Sequence, residues 1–434
     1  MPVSPFYRLA LLVDMDRLPG FRDFYPEPLP HPDVWSADAR QYIFEKWRAV
    51  ARRYGFREYD GPPLEPLELY TTKSGDEIVA QLYNFTDKGQ REIALRPEMT
   101  PTLARMVAAH ERNYKKPIKW FAIPQLFRYE RQQKGRLREH FQFNADIFGE
   151  SDLAADAELI ALLIDTLRSF GLGSKDFVVR LSSRNAWQSF FSERCQDASK
   201  AYEFYQIIDK LEREQPSQNQ EKLAKLGFSY DEIVSFIKTG KPTVELEAIL
   251  ANLTARGLGE FVKVDYQVIR GLAYYTGVVF EAFDQQGEFR AIAGGGRYDN
   301  LVKLISGGKV NLPALGFGLG DVVLLELLKA RGLLPKFDSH LDVFCLIEDE
   351  MLRGESLKFI HDLRASGYSV DYSLTPAKPD KQFKRAQESG APRTVKLQRN
   401  PTGELAAKIK NLQTREEITL PPGEIAAHLK AQNR

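Results

Sequence analysis

Residues 127 to 150, FRYERQQKGRLREHFQFNADIFGE, constrain the fold more than any other stretch of the chain. The segment FQFNADIF alternates with period two. That puts Gln142, Asn144 and Asp146 on one face of a strand and Phe141, Phe143, Ala145 and Ile147 on the other. The preceding LFRYER reads as a second strand, with Arg128 and Glu130 on one face and Phe127, Tyr129 and Arg131 on the other. Between them, QQKGRLR is a basic turn holding one glycine. An antiparallel hairpin is expected, buried on its aromatic face. Its polar face is either solvated or the floor of a ligand site under a loop that meets a polyanion, and this stretch alone weighs the two equally.

Bulk properties narrow the classes. At 434 residues, 43% apolar and 27% charged, the chain has room for two or three globular domains with substantial cores. A formal net charge of +1 excludes a histone-like polycation, so any nucleic-acid contact must come from local patches. Cys195 and Cys345 lie far apart and suggest no disulfide framework, which fits a reducing cytoplasm. No apolar run approaches the roughly 20 residues that span a bilayer. The N-terminal RLALLVDMD is apolar only briefly and ends in acids, which argues against a secretory signal. Organised sequence begins at LPGFRDFYPE, so Met15 is as good a start as Met1.

Along the chain, a helix is expected from Ser36, as N-cap, to Tyr54. Ile43, Trp47, Val50, Ala51 and Tyr54 form its stripe and Gly55 ends it. ALRPEMTPTLARMVAAH reads as a strand or turn and then a helix capped by Thr100 with Pro101 in its first turn. Residues 152 to 170 form a third helix closed by Gly171. From about 185 to 258 the pattern becomes polar and helical and carries no chemical motif, as an insertion would. Hairpins return at 266 to 300, where FDQQGEF turns one strand into the next. After a linker around 331 to 340, LDVFCLI, GYSVDYSL and RTVKLQ alternate with helices, which argues for a small α/β domain with partly parallel pairing. The domains are therefore set at 1–335 and 336–434.

Two further segments favour the ligand reading of the hairpin. IRGLAYYTGVVFEAF (269 to 283) carries an arginine into an apolar strand, which is costly unless the charge is paired or meets an anion. AGGGRYDNL (293 to 301) sets three glycines before an arginine and a tyrosine, which lets the backbone approach something flat or bulky. Neither a Gly-Lys-Ser/Thr phosphate loop nor a strand–GxGxxG–helix unit is present. A nucleotide would be held by arginines on a sheet.

Together LPGFRDFYPE, LRPEMT, FRYERQQKGR…FQFNADIFGE, RGLAYYTGVVFE and GGGRYDNL, followed by the α/β tail, resemble the histidyl-tRNA synthetases of the class II aminoacyl-tRNA synthetases. The resemblance covers nearly the whole chain. It implies an α+β fold: an antiparallel six- or seven-stranded sheet flanked by helices, a helical insertion and a C-terminal α/β anticodon-binding domain, in a cytoplasmic homodimer. It implies a histidine–tRNA ligase that joins L-histidine to ATP as histidyl-adenylate, releases pyrophosphate, and passes histidine to the 3′ end of histidine tRNA.

The residues suit that chemistry, because a carboxylate attacking an α-phosphate brings two anions together and needs cations already in place. By similarity Arg128 and Arg270 would be catalytic, holding the α-phosphate from either side, with Arg270 also bridging the histidine carboxylate. Glu130 and Arg136 would complete the ATP site, Arg136 at the β/γ-phosphates, with Mg²⁺ screening the leaving pyrophosphate. Glu98, Thr100 and Gln142 would hold the α-amino group, Asp146 and Tyr275 would read the imidazole, and Tyr274 and Tyr298 would form pocket walls. The family usually has glutamate where Asp146 stands. Gln133 and Lys134 fall where the family meets the tRNA acceptor end. No residue is assigned to a protein-held metal. Lys378 to Arg415 carries 10 Lys/Arg against 3 Asp/Glu, which suits an RNA-docking module.

The pattern breaks at the family's third motif, a glycine-rich strand and a helix opening with an arginine that stacks on adenine. Here LGFGLGDVVLLELL puts Asp321, Val322 and Val323 in that stretch, and Ala273 stands where aspartate is frequent. This departure supports an alternative, a histidine-binding paralogue acting as a regulatory subunit of ATP phosphoribosyltransferase. Such paralogues commonly lack the C-terminal domain, whereas this chain keeps it along with Arg128, Arg136 and Arg270.

Overall fold

A computed structural model describes residues 17–71, 79–131, 135–211, 214–269, 274–337 and 341–432. The chain divides into two compact units. One is built from residues up to Tyr25 and from Pro30–Leu334, the other from Pro26–Leu29 and from Pro335 onward.

The first unit begins with helix α1 (Ala37–Arg53), strand β1 (Arg57–Glu58), helix α2 (Thr100–His110) and strands β2 (Ile118–Ala122), β3 (Gln125–Phe127) and β4 (Glu139–Phe148). Helix α3 (Ala154–Arg168) follows, then strands β5 (Phe177–Ser183), β6 (Val262–Val264), β7 (Val278–Asp284), β8 (Ala293–Arg297) and β9 (Ala314–Gly320), and helix α4 (Asp321–Ala330). The strands pair in the order β6-β5-β7-β8-β9-β4-β2-β1, with β3 on β4 off that path. The six from β5 to β2 are antiparallel. Short edges β6 and β1 run parallel to their neighbours and, with β3, bring the described sheet to nine strands.

Local chemistry explains the elements beneath the sheet. Ser36 Oγ accepts the Ala39 N–H at 3.1 Å, and Gly55 takes φ +78° just past the end of α1. The α1 stripe of Ala39, Ile43, Trp47, Val50 and Ala51 is buried. Its Trp47 stacks on Phe143 of β4 at 5.7 Å between centroids, and Phe44 meets Phe141 edge-on at 5.1 Å. The aromatic face of β4 thus packs on α1, as its alternation requires, while Asn144 and Asp146 on the other face are buried as well; each fully buried ring contributes roughly 2–3 kcal/mol by leaving water. Helix α3 ends where Gly171, at φ +91°, bonds back to Arg168.

Two details differ from expectation. The LFRYER strand stops at Phe127. Arg128 N–H still reaches the Arg138 carbonyl at 2.9 Å, but Tyr129 N–H turns away to the Gln81 carbonyl at 2.7 Å. Arg128 and Glu130 therefore sit on an irregular segment. Helix α2 has Met99 at its N-cap without a side-chain cap, so Thr100 lies inside the first turn and does not cap it.

Between β5 and β6 lie helices Arg184–Ser192, Ala201–Asp209, Pro216–Leu226, Tyr230–Thr239 and Val244–Ala255. They bury an aromatic core of their own, with Phe204 and Phe228 at 4.5 Å and Trp187 and Phe236 at 4.8 Å. The second unit is a five-stranded sheet. Val370–Tyr372, Val343–Cys345 and Arg393–Arg399 are parallel, and Leu405–Asn411 and Glu417–Leu420 continue it antiparallel. Val343, Cys345, Phe359, Ile360, Val395 and Ile409 are in its core.

Candidate active site

The polar face of the first unit's sheet is a groove whose shape comes from register. Across neighbouring strands Asn144 pairs with Gly318, Gly318 with Gly294, Gly294 with Glu281, and Glu281 with Arg180. One row over, Asp146 pairs with Gly316 and Gly316 with Gly296. Glycines make the middle of the floor low, and the side chains of β4 lean into that space. A Cβ at Gly318 would fall 2.5 Å from Gln142 Cδ, and one at Gly316 would collide with the Asp146 carboxylate. Gly295 and Gly296 leave room for protein, Phe317 and Phe280 beside the first and Val279 and Tyr275 beside the second. The glycines thus bring backbone close to side chains of the same sheet, and only Gly294 of the three lines the space above.

That space is a cavity of about 740 Å³. Glu98, Thr100, Arg128, Glu130, Arg136, Gln142, Tyr274 and Tyr275 all line it, so elements far apart in sequence converge there. Arg128 is anchored by an Nε–H bond to the Pro97 carbonyl at 3.0 Å. Arg136 pairs with Glu130 at 3.1 Å. The Tyr274 hydroxyl donates to Glu98 Oε2 at 2.8 Å, which fixes a buried carboxylate at the cavity wall. Gln133, Lys134 and Arg270 lie outside the described residues.

Asp146 is brought near but is not one of the lining residues. Its Oδ1 accepts the Tyr298 hydroxyl at 2.5 Å, and it is Tyr298 that faces the cavity. Burial raises the Asp146 carboxyl to about 7, against the Tyr298 bond that lowers it. Its Oδ2 has no hydrogen-bond partner among the described residues, nor do Asn144 Oδ1 and Tyr59 Oη.

Two arginines near this face are closed off. Arg22, from LPGFRDFYPE, bonds Glu139 at 2.6 Å and Asp321 at 2.8 Å, and Asp321 Oδ1 also accepts the Phe141 N–H at 3.0 Å. Asp321 is therefore a structural residue at the start of α4, while Val322 and Val323 line the cavity. The place where the resembled family carries an arginine is apolar. Arg297, next to the three glycines, binds Asp156 at 2.6 Å and the carbonyls of Glu150 and Asp152, so it serves the scaffold.

Among the charged lining residues and histidine, sequence reasoning missed His140, Arg180, Asp209, Glu281 and Arg290. His140 shares the parity of Gln142 on β4, a signal that was readable. Burial first, then Arg128 and Arg22, lowers its ring to about 3, so it is neutral. Arg180 and Glu281 meet only through strand register. Among the described residues no group of three or more His, Cys, Asp or Glu could hold a metal.

The family model described as histidyl-tRNA synthetase matches residues 31–321, and that described as anticodon binding domain matches 341–432. A histidine–tRNA ligase of Opitutus terrae is 45% identical over 95% of this chain and 97% of its own length. One of Leptospira biflexa is 38% identical over 86% of this chain and 87% of its own. The crystal structure of a histidyl-tRNA synthetase from a Nostoc species, 22% identical, shares the fold with a TM-score of 0.74 over 95% of this chain and all of its own.

Proposed function

The chain belongs to the histidyl-tRNA synthetase family, an aminoacyl-tRNA ligase family that uses ATP, and we propose how its residues carry that reaction. The supporting observation is the convergence of Glu98, Thr100, Gln142, Arg128, Glu130 and Arg136 on one cavity above a glycine floor. Glu98, oriented by Tyr274, and Gln142 hold the α-amino group of L-histidine, with Thr100 beside them. Tyr275 and Tyr298 border the imidazole, and Asp146 stands behind Tyr298.

Arg128 and, by similarity, Arg270 draw charge from the α-phosphate as the histidine carboxylate attacks it. The bond to phosphorus forms, the bond to the leaving pyrophosphate breaks, and histidyl-adenylate remains. Arg136 meets the β/γ-phosphates. Mg²⁺ bound to the triphosphate needs only one or two carboxylates and waters, and Glu130, beside Arg136, fits that need. When bound, Mg²⁺ supplies charge neutralisation on the departing pyrophosphate. A hydroxyl at the 3′ end of histidine tRNA then takes the acyl group and AMP leaves.

Residues 1–335 are the catalytic domain and 336–434 the anticodon-binding domain. In the latter, Lys378, Lys381, Lys384 and Arg385 are exposed, whereas Lys396 and Arg399 are spent on Glu348 and Glu355. Gln133 and Lys134 meet the acceptor end. The protein works as a cytoplasmic homodimer. No helix among the described residues is long and apolar enough to cross a membrane.

The regulatory-subunit reading draws on the departure at Asp321, Val322 and Val323. It sits less well with ligase-named relatives that span both units. Histidine-dependent exchange of labelled pyrophosphate into ATP tests the choice. The ligase reading requires exchange that stops without histidine. Histidine binding with no exchange would favour the regulatory subunit.

A further inference from the structure

The helical insertion between β5 and β6 carries no chemical motif, yet its first helix holds one stretch of the first unit at three points. Between β6 and β7 the described residues form no helix or strand, so their carbonyls need partners from elsewhere. The Tyr266 carbonyl accepts the Trp187 Nε1–H at 3.0 Å. The Ile269 carbonyl accepts an N–H of the Arg184 guanidinium at 3.4 Å, and the Gly277 carbonyl accepts the Arg184 backbone N–H at 2.9 Å. One residue thus holds both ends of the stretch that carries Tyr274 and Tyr275. The Arg184 guanidinium is partly buried, with its carbon 4.3 Å from the centroid of the Tyr205 ring in the insertion's second helix. Burial lowers its basicity, while Tyr205, Asp209 and Tyr275 support its charge. That second helix also brings Ile208 and Asp209 to the cavity, and Leu211 follows them.

We infer that Arg184 is a positioning residue: from the helical insertion it fixes the two ends of the segment bearing Tyr274 and Tyr275, and so sets the cavity wall that the amino acid meets. The inference rests on the histidine reading above. Tyr274 orients Glu98 through its hydroxyl at 2.8 Å, and Tyr275 lines the cavity beside it. Both tyrosines lie in irregular backbone, which has no ladder of its own to hold a side chain to within about 0.5 Å of its working place. Thr276 is tied to the sheet side, its N–H to the Arg297 carbonyl at 2.9 Å and its hydroxyl to Asp299 at 3.3 Å. At the other end, the Ile269 carbonyl has Arg184. A guanidinium suits that place, because its edge can bond the carbonyl while its face rests on the Tyr205 ring. The insertion thereby acts on the amino-acid pocket without bringing a chemical group to it.

The experiment uses the full chain and measures equilibrium binding of L-histidine and, separately, of ATP, with pyrophosphate exchange alongside. Arg184→Met keeps the stem of the side chain and removes the guanidinium donor. It should weaken histidine about tenfold, while ATP, met by Arg128 and Arg136 from another part of the chain, should weaken by less than about threefold. Arg184→Lys restores a charged donor and should bring histidine back to within about threefold of the wild type. Tyr274→Phe releases Glu98 and should also weaken histidine. In the double variant with Arg184→Met the two losses should fall well short of their product, because both act on one wall. Should the methionine protein fail to fold, Tyr205→Leu decides in its place, with a loss of about threefold confined to histidine.

Arg184→Met binding histidine as the wild type does would overturn the inference. A loss shared equally by histidine and ATP would overturn it too, as would a loss that lysine does not relieve or losses that multiply in full in the double variant. Where Tyr205→Leu decides, unchanged histidine binding has the same meaning. Failure of the ligase reading looks different: the wild type binds histidine and the variants fall in the expected order, but none shows exchange. A wild type that does not bind histidine sinks both.

Discussion

Strand β4 carries two buried polar clusters that are finished in opposite ways. At its start, Glu139 takes the Arg22 guanidinium on both oxygens, at 2.6 and 3.2 Å, and the Gln125 amide at 3.0 Å. Asp321 takes the remaining side of Arg22 and the Phe141 N–H. Farther along, Asn144 Oδ1, Asp146 Oδ2 and the nearby Tyr59 hydroxyl are just as buried and have no partner among the described residues. Both clusters belong to the same strand, so the contrast does not come from the quality of the fold around them. A closed cluster belongs to the scaffold, because each group is answered by another part of the protein. An open one holds polar atoms that the described residues leave unanswered, and of its three residues only Asn144 lines the cavity.

The largest effect expected from this contrast is in the closed cluster. Arg22→Met removes the one cation shared by two buried carboxylates and should cost about 3–5 kcal/mol in urea denaturation. Glu139 and Asp321 then repel each other in a dry setting, and the Phe24 and Trp35 rings lose the guanidinium that lies 5.0 and 4.7 Å from their centroids. A variant as stable as the wild type would erase the distinction between the clusters.

In the open cluster the sign reverses. Tyr59→Phe deletes a hydroxyl that has no protein partner among the described residues, so none of them is orphaned by its loss, and a buried unsatisfied group disappears. The unliganded protein should gain about 1 kcal/mol, read as a higher denaturation midpoint at unchanged slope. A loss of that size would mean that the corner is answered from within the fold.

Much of this was legible in the sequence, and what was not has a physical reason. The period-two pattern of FQFNADIF correctly assigned the faces of β4, because alternation is a property of single strands. Ser36 and Gly55 marked the ends of α1 for equally local reasons. The motifs carried the family, and the comparisons bear that out. The partners of Arg22 were invisible, since Asp321 lies 299 residues away and nothing near LPGFRDF announces it. Arg180 and Glu281 face the cavity together only because β5 and β7 pair in one register. The GGG run looked like room for a ligand. Gly316 and Gly318 make room for Asp146 and Gln142, a cross-strand fact that no local window contains. Asp146 was expected to read the ring, and that its carboxylate accepts the Tyr298 hydroxyl is again a cross-strand fact that its own segment does not announce.

The last test asks how dry the polar face of β4 is, through two groups that titrate in opposite senses. Burial raises Asp146 to about 7, above the roughly 4 of an unfolded carboxyl, so the native chain keeps a proton that the unfolded chain has released. That contribution favours folding at low pH and is lost as pH rises from about 4 to about 7. Burial, aided by Arg128 and Arg22, lowers His140 to about 3, below the roughly 6.5 of an unfolded imidazole. The unfolded chain then takes up the proton first, and stability falls as pH drops from about 6.5 toward 3. Each group alone bends the curve by at most about 1.4 kcal/mol per pH unit, and water in the cavity trims the His140 share because its ring opens there. Between about pH 4 and 6.5 the two oppose each other in the wild type. Relative to it, Asp146→Asn should gain stability as pH rises across that window, and His140→Phe should gain as pH falls. Urea denaturation of the three proteins at about pH 5 and 7 reads both differences. Variant-to-wild-type gaps that do not change with pH would mean that neither group is held away from water.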